Sequence, residues 1–201
     1  MAGRPRSPVC DHSILDAALA EYAANGLDGM SVDAVAARAG VSKATIYRRY
    51  PSKAALVAAA ACKAADEHAA MPDTGSVRGD LTIALQNLRR LLDDPVVGAA
   101  KRMLLVDADR DEELARMHTE SVRHRREGVF DAFRRGVARG ELSPDIDVEF
   151  AADRIGAHVF YRNLVTRVPV TDAYIDQVID EFLARYGLPQ PAPFDAAPAS
   201  P

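Results

Sequence analysis

Between Ser31 and Lys53 this 201-residue chain carries two helix starts and one helix stop, so close together that only two short helices with a tight turn between them fit. Ser31 is placed to cap the first of them, and Val35 and Ala36 continue an apolar stripe along it. Gly40 sits where a helix ends in a left-handed conformation, and Ser42 caps the next helix. From Ser42 to Tyr50 that second helix offers Lys43, Thr45, Tyr47, Arg48 and Arg49, while Val41 and Ile46 can turn inward against its predecessor. This is the sequence form of a helix-turn-helix whose second helix enters the major groove of DNA.

The charge distribution fits that reading once it is divided along the chain. The formal net charge is -4, but residues 1–53 carry seven Arg or Lys against five Asp or Glu, and the remainder carries 18 against 24. Between Arg38 and Lys53 there are five basic residues and no acid, so the local potential is positive on an acidic molecule.

Around the turn, the sequence resembles the N-terminal domain of the tetracycline-repressor-like (TetR) family of bacterial transcriptional regulators. The resemblance covers about Ile14 to Leu56. It rests on Ile14-Leu15-Asp16-Ala17-Ala18 and Tyr22 opening a first helix, Gly26 ending it, Gly40-Val41-Ser42, and Thr45-Ile46-Tyr47-Arg48-Arg49-Tyr50-Pro51-Ser52-Lys53 with Leu56. Two positions depart from the family pattern. Tyr50 stands where Phe is usual, and Asp33 stands where some members place a basic or polar base-reading residue. Asp33 either points away from DNA as a charge favourable to the helix dipole, which is the preferred reading, or accepts from a cytosine amine.

The chemistry of the side chains divides their expected roles. Lys43 can donate to guanine O6 or N7, Ala44 can touch a thymine methyl, and Tyr47 follows one turn later. Thr45, Arg48, Arg49, Tyr50 and Lys53, with Ser31 and Val32 through backbone amides and Ser42 as the cap, would hold phosphates. The resemblance implies a base or phosphate for Tyr47 and a phosphate for Thr45 and Lys53. Arg48 or Arg49 could instead read a guanine.

The rest of the chain shows no period-two run long enough for a strand, so the expected fold is all-α: a three-helix helix-turn-helix domain and a larger antiparallel helical domain, about nine helices in total. A fourth helix should start at Ser52 and reach about Ala70. Further helices are expected over Val77 to Leu92, from the Asp94-Pro95 cap to about Asp107, over Asp109 to Arg139, over Val148 to Thr166 and over Tyr174 to Tyr186. The domain plan is a flexible basic arm over 1–10, the DNA-reading domain over 11–53, a ligand-binding and dimerisation domain over 54–188, and a disordered tail over 189–201. Gly3-Arg4-Pro5-Arg6 can lie along a minor groove or be a free tail.

In the resembled family the last two helices pair with a second copy. Here the corresponding apolar residues are Phe150, Ile155, Val159, Val165, Ile175, Val178, Ile179, Phe182 and Leu183, so a homodimer on a palindromic operator is expected. The resemblance also implies a small-molecule effector that releases the repressor from DNA. Met103, Leu104, His118, Ser121, Arg125, His158 and Tyr161 are the adaptable side chains that could face it.

Other classes find less support. No Gly-rich phosphate loop or nucleophile motif is present. His118, His124 and His158, with Asp107, Asp109 and Glu113, lack the spacing of a catalytic or metal group. No catalytic residue, metal or cofactor is therefore expected. Cys10 and Cys62 are too few and too far apart for a disulfide framework or a metal site, which points to a reducing cytoplasm. No apolar run approaches the length of a membrane span. An adaptor or architectural protein using the motif for nonspecific contact is the remaining rival, separable by its low ratio of specific to nonspecific affinity.

Overall fold

The computed structural model describes residues 8–67 and 71–189, with nine α-helices among them. These are α1 (Pro8–Gly29), α2 (Val32–Ala39), α3 (Lys43–Tyr47), α4 (Lys53–Asp66), α5 (Val77–Asp93), α6 (Pro95–Asp107), α7 (Glu112–Ala138), α8 (Val148–Phe160) and α9 (Asp172–Tyr186). A π-helical segment, Tyr161–Thr166, continues α8 and stops at Arg167, which adopts a left-handed conformation.

Most helix starts follow from local chemistry. Ser52 accepts from the Ala55 amide, Ser76 from Gly79, Asp94 from Val96 and Val97, Asp111 from Leu114, Asp147 from Phe150 and Thr171 from Tyr174. Each side chain satisfies an amide that the helix geometry leaves without a partner.

Helix α1 departs from expectation at both ends. Pro8 to Cys10 are already helical, so the arm expected over 1–10 is not free in its last three residues, and residues 1–7 lie outside the described residues. At the other end Gly26 (φ 67°, ψ -177°) kinks the helix without ending it, and α1 resumes to Gly29. A Cβ at Gly26 would come within 2.9 Å of Met103 Cε, so the missing side chain lets α6 approach the kink.

Two apolar cores stand side by side. The first gathers Ile14, Ala18 and Tyr22 of α1, Val35 of α2, Ile46 of α3, Leu56 and Val57 of α4, and also Leu104 of α6 and Leu114 of α7. A boundary at 53/54 therefore does not divide the packing, because α4 and parts of α6 and α7 complete the core of the helix-turn-helix.

The second core joins Val77, Leu81 and Leu85 of α5, Phe133 of α7, Ile155 and Val159 of α8, and Ile175, Val178, Ile179 and Phe182 of α9. Phe133 stacks on Phe182 with ring centroids 5.2 Å apart. Six residues expected at a dimer interface, Ile155, Val159, Ile175, Val178, Ile179 and Phe182, are thus spent inside the protomer. Each contributes about 1.5–3 kcal/mol by burial there. Phe150 and Val165 point outward instead, and Leu183 is half-buried.

Two polar fasteners complete the second half. Asp80, 0% exposed, accepts from the Thr74 amide and hydroxyl at 2.7 Å each and faces Arg135 and Arg139. Arg135 also donates to the Pro72 carbonyl, so the segment before α5 is tied to α7. An isolated antiparallel bridge between Leu142 and Gly187 returns the chain after α9 to the turn after α7. Pro189 is described; the rest of the expected tail, 190–201, lies outside the described residues. No helix among the described residues is long and apolar enough to cross a membrane.

Candidate nucleic-acid interface and interior cavity

The turn between α2 and α3 is built from backbone geometry. Gly40 (φ 67°, ψ 33°) lets its own amide reach the Ala37 carbonyl at 3.3 Å and the Val41 amide reach Ala36 at 3.0 Å, closing α2. Ser42 then opens α3: its Oγ accepts from the Thr45 amide at 3.2 Å and lies 2.9 Å from the Thr45 hydroxyl. Ile46 is buried between the helices, with Val41 packed on the same core. Burial of that one position fixes the roll of α3 and so decides which side chains face outward.

Helix α3 is shorter than the expected Ser42 to Tyr50. It ends at Tyr47, and Arg48, Arg49 and Tyr50 form a tight turn closed by bonds back to Ala44 and Ile46. Ser31, Ser42, Lys43, Ala44, Tyr47 and Arg48 are exposed, with Thr45 partly buried beside them. Val32 is buried by its side chain, which leaves only its backbone for an outside contact.

Besides the caps Ser31 and Ser42 and the Thr45 hydroxyl, four of the expected DNA contacts already have partners within the chain. Lys43 Nζ lies 2.9 Å from the Asp33 carboxylate, and that hydrogen bond and charge raise the lysine's pKa. Asp33 thus turns toward α3. Arg49 pairs with Asp11 of α1 at 2.6 Å, Tyr50 packs on the first core, and Lys53 donates to the Asp28 carbonyl at 3.2 Å. Arg49, Tyr50 and Lys53 therefore brace the motif as well as edging it, a role that their residue types alone did not signal.

Behind this surface lies a cavity of about 540 Å³ walled by α5, α7 and α8, with Lys101 of α6 and Ala65 of α4 at one end. Its lining is mostly apolar, including Leu81, Leu85, Leu88, Val129, Ile155 and Phe160. A hollow of about 40 Å³ continues from that end and is bordered by Leu104, His118 and Ser121; Lys101 and Arg125 line both spaces.

Of the seven residues expected near an effector, Arg125 alone lines the larger space, and Leu104, His118 and Ser121 border the smaller one. The other three are placed elsewhere. Met103 faces Gly26, and neither His158 nor Tyr161 lines either space; Tyr161 is on the outer surface. Helix α8 turns Ala152, Ile155, Gly156 and Phe160 inward, and His158 and Tyr161 fall outside that stripe. Lys101 and the α5 leucines were not foreseen. The Lys101-Arg102 pair inside the otherwise apolar stretch Val96 to Val106 was the available signal for the former.

Electrostatics at the shared end are one-sided. Burial, reinforced by the charge of Arg125, pushes the Lys101 ammonium down to about 8. Burial also pushes His118 down to about 4, with Lys101 and Arg125 both adding to the effect. Arg125 donates to Ser121 Oγ at 2.5 Å, and Ser121 in turn lies 3.1 Å from Cys62 Sγ. The acid on the cavity wall, Asp153, is held by Arg126 at 2.9 Å.

The cavity and the helix-turn-helix share α6. Lys101 is on the cavity, while Asp107 at the end of the same helix accepts from the Leu27 amide of α1 at 3.0 Å. Burial and the neighbouring Asp107 raise the pKa of Tyr22, also on α1.

Comparison with known proteins agrees with this architecture. Residues 14–60 match the family model described as bacterial regulatory proteins, tetR family, and residues 71–182 match that of the tetracyclin repressor-like C-terminal domain. The chain is 35% identical over 182 residues to the uncharacterized HTH-type transcriptional regulator YdeS of Bacillus subtilis, covering 90% of this chain and 91% of the relative. It is 34% identical over 177 residues to the DNA-binding transcriptional repressor TetR of Mycobacteroides abscessus, covering 85% and 90% respectively. Among solved structures, the TetR family transcription regulator SCO0332 superposes with a TM-score of 0.72 at 28% identity, covering 87% of this chain and 97% of that one. The fatty acid degradation regulator FadR from Bacillus halodurans superposes with a TM-score of 0.70 at 20% identity, covering 90% and 97%, a likeness of fold.

Proposed function

Because this chain belongs to the TetR family of bacterial regulatory proteins and is a DNA-binding transcription regulator, we propose that it acts as a homodimeric repressor released from a palindromic operator by a small molecule. The observation that carries the DNA-reading part is the outward face of α3. Lys43, Ala44, Tyr47 and Arg48 project together on a turn locked by Gly40 and Ser42, in a segment from Arg38 to Lys53 that contains no acid, with Asp33 of α2 paired to Lys43. The name of the Mycobacteroides abscessus relative favours repression over activation.

One copy of α3 reads only a few base pairs, and a two-fold dimer doubles the contact while fixing the half-site spacing. The dimer face is a revised one. Phe150 (57% exposed), Tyr161 (61%) and Val165 (63%) share an outward stripe of α8 and its π-helical extension with Arg154. Burial of that stripe by a second copy accounts for three large apolar side chains in water.

Release follows from a ligand that prefers one of two arrangements of α6 against α1. Lys101 and Asp107 set the cavity and the Leu27 amide at two points of one rigid helix. Selection of bound duplexes from a random DNA pool tests the DNA reading: an inverted repeat is expected, and a pool that stays random overturns it. Reciprocity tests release. A ligand that weakens the operator complex must lose affinity for protein already on the operator by the same factor.

A further inference from the structure

Lys101 and Arg125 meet at the end of an apolar space, and among the described residues neither forms an ion pair. The acid on the cavity wall, Asp153, is neutralised by Arg126, which leaves the two cations uncompensated. His118 beside them adds no charge near neutrality, since its pKa is pushed down to about 4. Lys101 is the desolvated member of the pair, and a charge away from water is costly unless something pairs with it. Resting on the effector reading above, we propose that the ligand of this cavity is an amphipathic carboxylate, its anionic head between Lys101 and Arg125 and its apolar body among the leucines of α5 and the facing side chains of α7 and α8.

Size and lining agree with that choice. A space of about 540 Å³ lies within the range that encloses a drug-sized molecule. An inorganic anion would meet the charge and leave the apolar walls of Leu85, Leu88 and Phe160 unfilled. A neutral hydrocarbon would fill the walls and leave two cations unpaired. An organic cation would be repelled by both. A carboxylate of roughly ten to twenty heavy atoms meets the charge and the volume together. It also restores the lysine's lost solvation: paired with an anion, the Lys101 ammonium holds its proton more firmly, so binding near pH 8 takes up protons from buffer.

The test is calorimetric titration of the full chain with octanoate and 4-phenylbutanoate, each against its own primary amide, which keeps the shape and removes the charge. Each acid is expected to bind at least tenfold more tightly than its amide. Lys101→Met should reduce that preference to less than threefold while leaving amide affinity within twofold. Its fold is expected to hold, since the substitution removes a desolvated charge and keeps an unbranched side chain only one heavy atom shorter. Amides that bind as well as the acids, a preference that survives Lys101→Met, or no binding of either acid at 1 mM would each overturn the proposal. Operator binding followed in the same samples separates this inference from the one beneath it. Acids that bind with the expected preference yet leave the operator complex intact uphold the carboxylate site and overturn ligand release. Release of the operator by the amides at the same concentrations as the acids upholds ligand release and overturns the carboxylate site.

Discussion

Lys43 Nζ and the Asp33 carboxylate meet at 2.9 Å across the turn, so the lysine best placed to reach a base edge is held by the acid of the preceding helix. Both side chains are exposed, and the pair contributes little to stability. Its effect falls on DNA binding, because Asp33 both aims Lys43 and competes with DNA for it. Asp33→Asn is expected to strengthen binding to specific and random duplexes alike and to steepen the salt dependence by up to about one released counterion. Lys43→Ala should cost roughly 1–3 kcal/mol on the selected site and relax preference at one base position. Anisotropy titrations from 50 to 200 mM salt (roughly the range over which such slopes are read) check both. Unchanged base preference in Lys43→Ala would place base reading elsewhere on α3.

Substitutions on α8 should separate association from folding. Phe150→Glu is expected to give a monomer by sedimentation with its thermal midpoint in the monomeric form unaltered, because the side chain lies on the outer stripe. Ile155→Ala, four percent exposed in the second core, should instead cost about 2–5 kcal/mol of folding stability. A dimeric Phe150→Glu would move the interface off this stripe.

Lys101 costs the fold stability for the same reason that it is suited to an anion. With its pKa pushed down to about 8, the folded state gives up the lysine's proton before the unfolded state does. The ligand-free protein should gain stability as pH rises from about 8 toward the ordinary lysine value. At pH 7 Lys101→Met should therefore raise stability by on the order of 1–3 kcal/mol in denaturant titrations. An unchanged midpoint would mean that water still solvates the ammonium.

His118 has the corresponding sign at lower pH. Its folded pKa is near 4 against an unfolded value of 6.5, so the unfolded chain takes up the proton first and stability falls as pH drops through that window. Burial holds it down first, and the charges of Lys101 and Arg125 add to the effect. His118→Gln should flatten the loss between pH 6.5 and 4 relative to the native chain. Parallel curves for the two proteins would show that another group titrates there.

Asp80→Ala removes the buried acceptor that organises Thr74, Arg135 and Arg139. It should cost about 2–4 kcal/mol and raise hydrogen exchange over 73–76 before it affects α3. Uniform exchange across the chain would mean that the fastener acts on the whole fold.

Those features whose cause is local were legible in the sequence. Gly40, Ser42, Ser52 and the Asp94-Pro95 start act on amides within three residues, and their caps form where the residue types indicate. What was not legible depends on a choice between two apolar faces. Helix α8 carries one stripe with Ile155 and Val159 and another with Phe150, Tyr161 and Val165, and period alone does not say which meets α5 and α9. Gly26 marks a helix end in the sequence, but α6 packs against the kink there and α1 resumes. The burial of Lys101 depends on α7, whose His118 and Arg125 border the same hollow, a contact that no local pattern encodes.

The alanines of α4 set how that helix can respond to its neighbours. Ala54, Ala55, Ala60, Ala64 and Ala65 are buried in contact with α1 and α7, and each presents only a methyl group there. Ridges this low interlock weakly, so the hold of α4 on its neighbours rests on Leu56 and Val57, which lock into the first core. The leading end of α4 is also latched: Lys53 reaches the Asp28 carbonyl and Ser52 donates to Glu113 at 2.8 Å. A helix keyed at Leu56 and Val57 and fastened at its tip joins the end of α1 and the start of α7 into one mechanical unit, held at a few points and smooth between them.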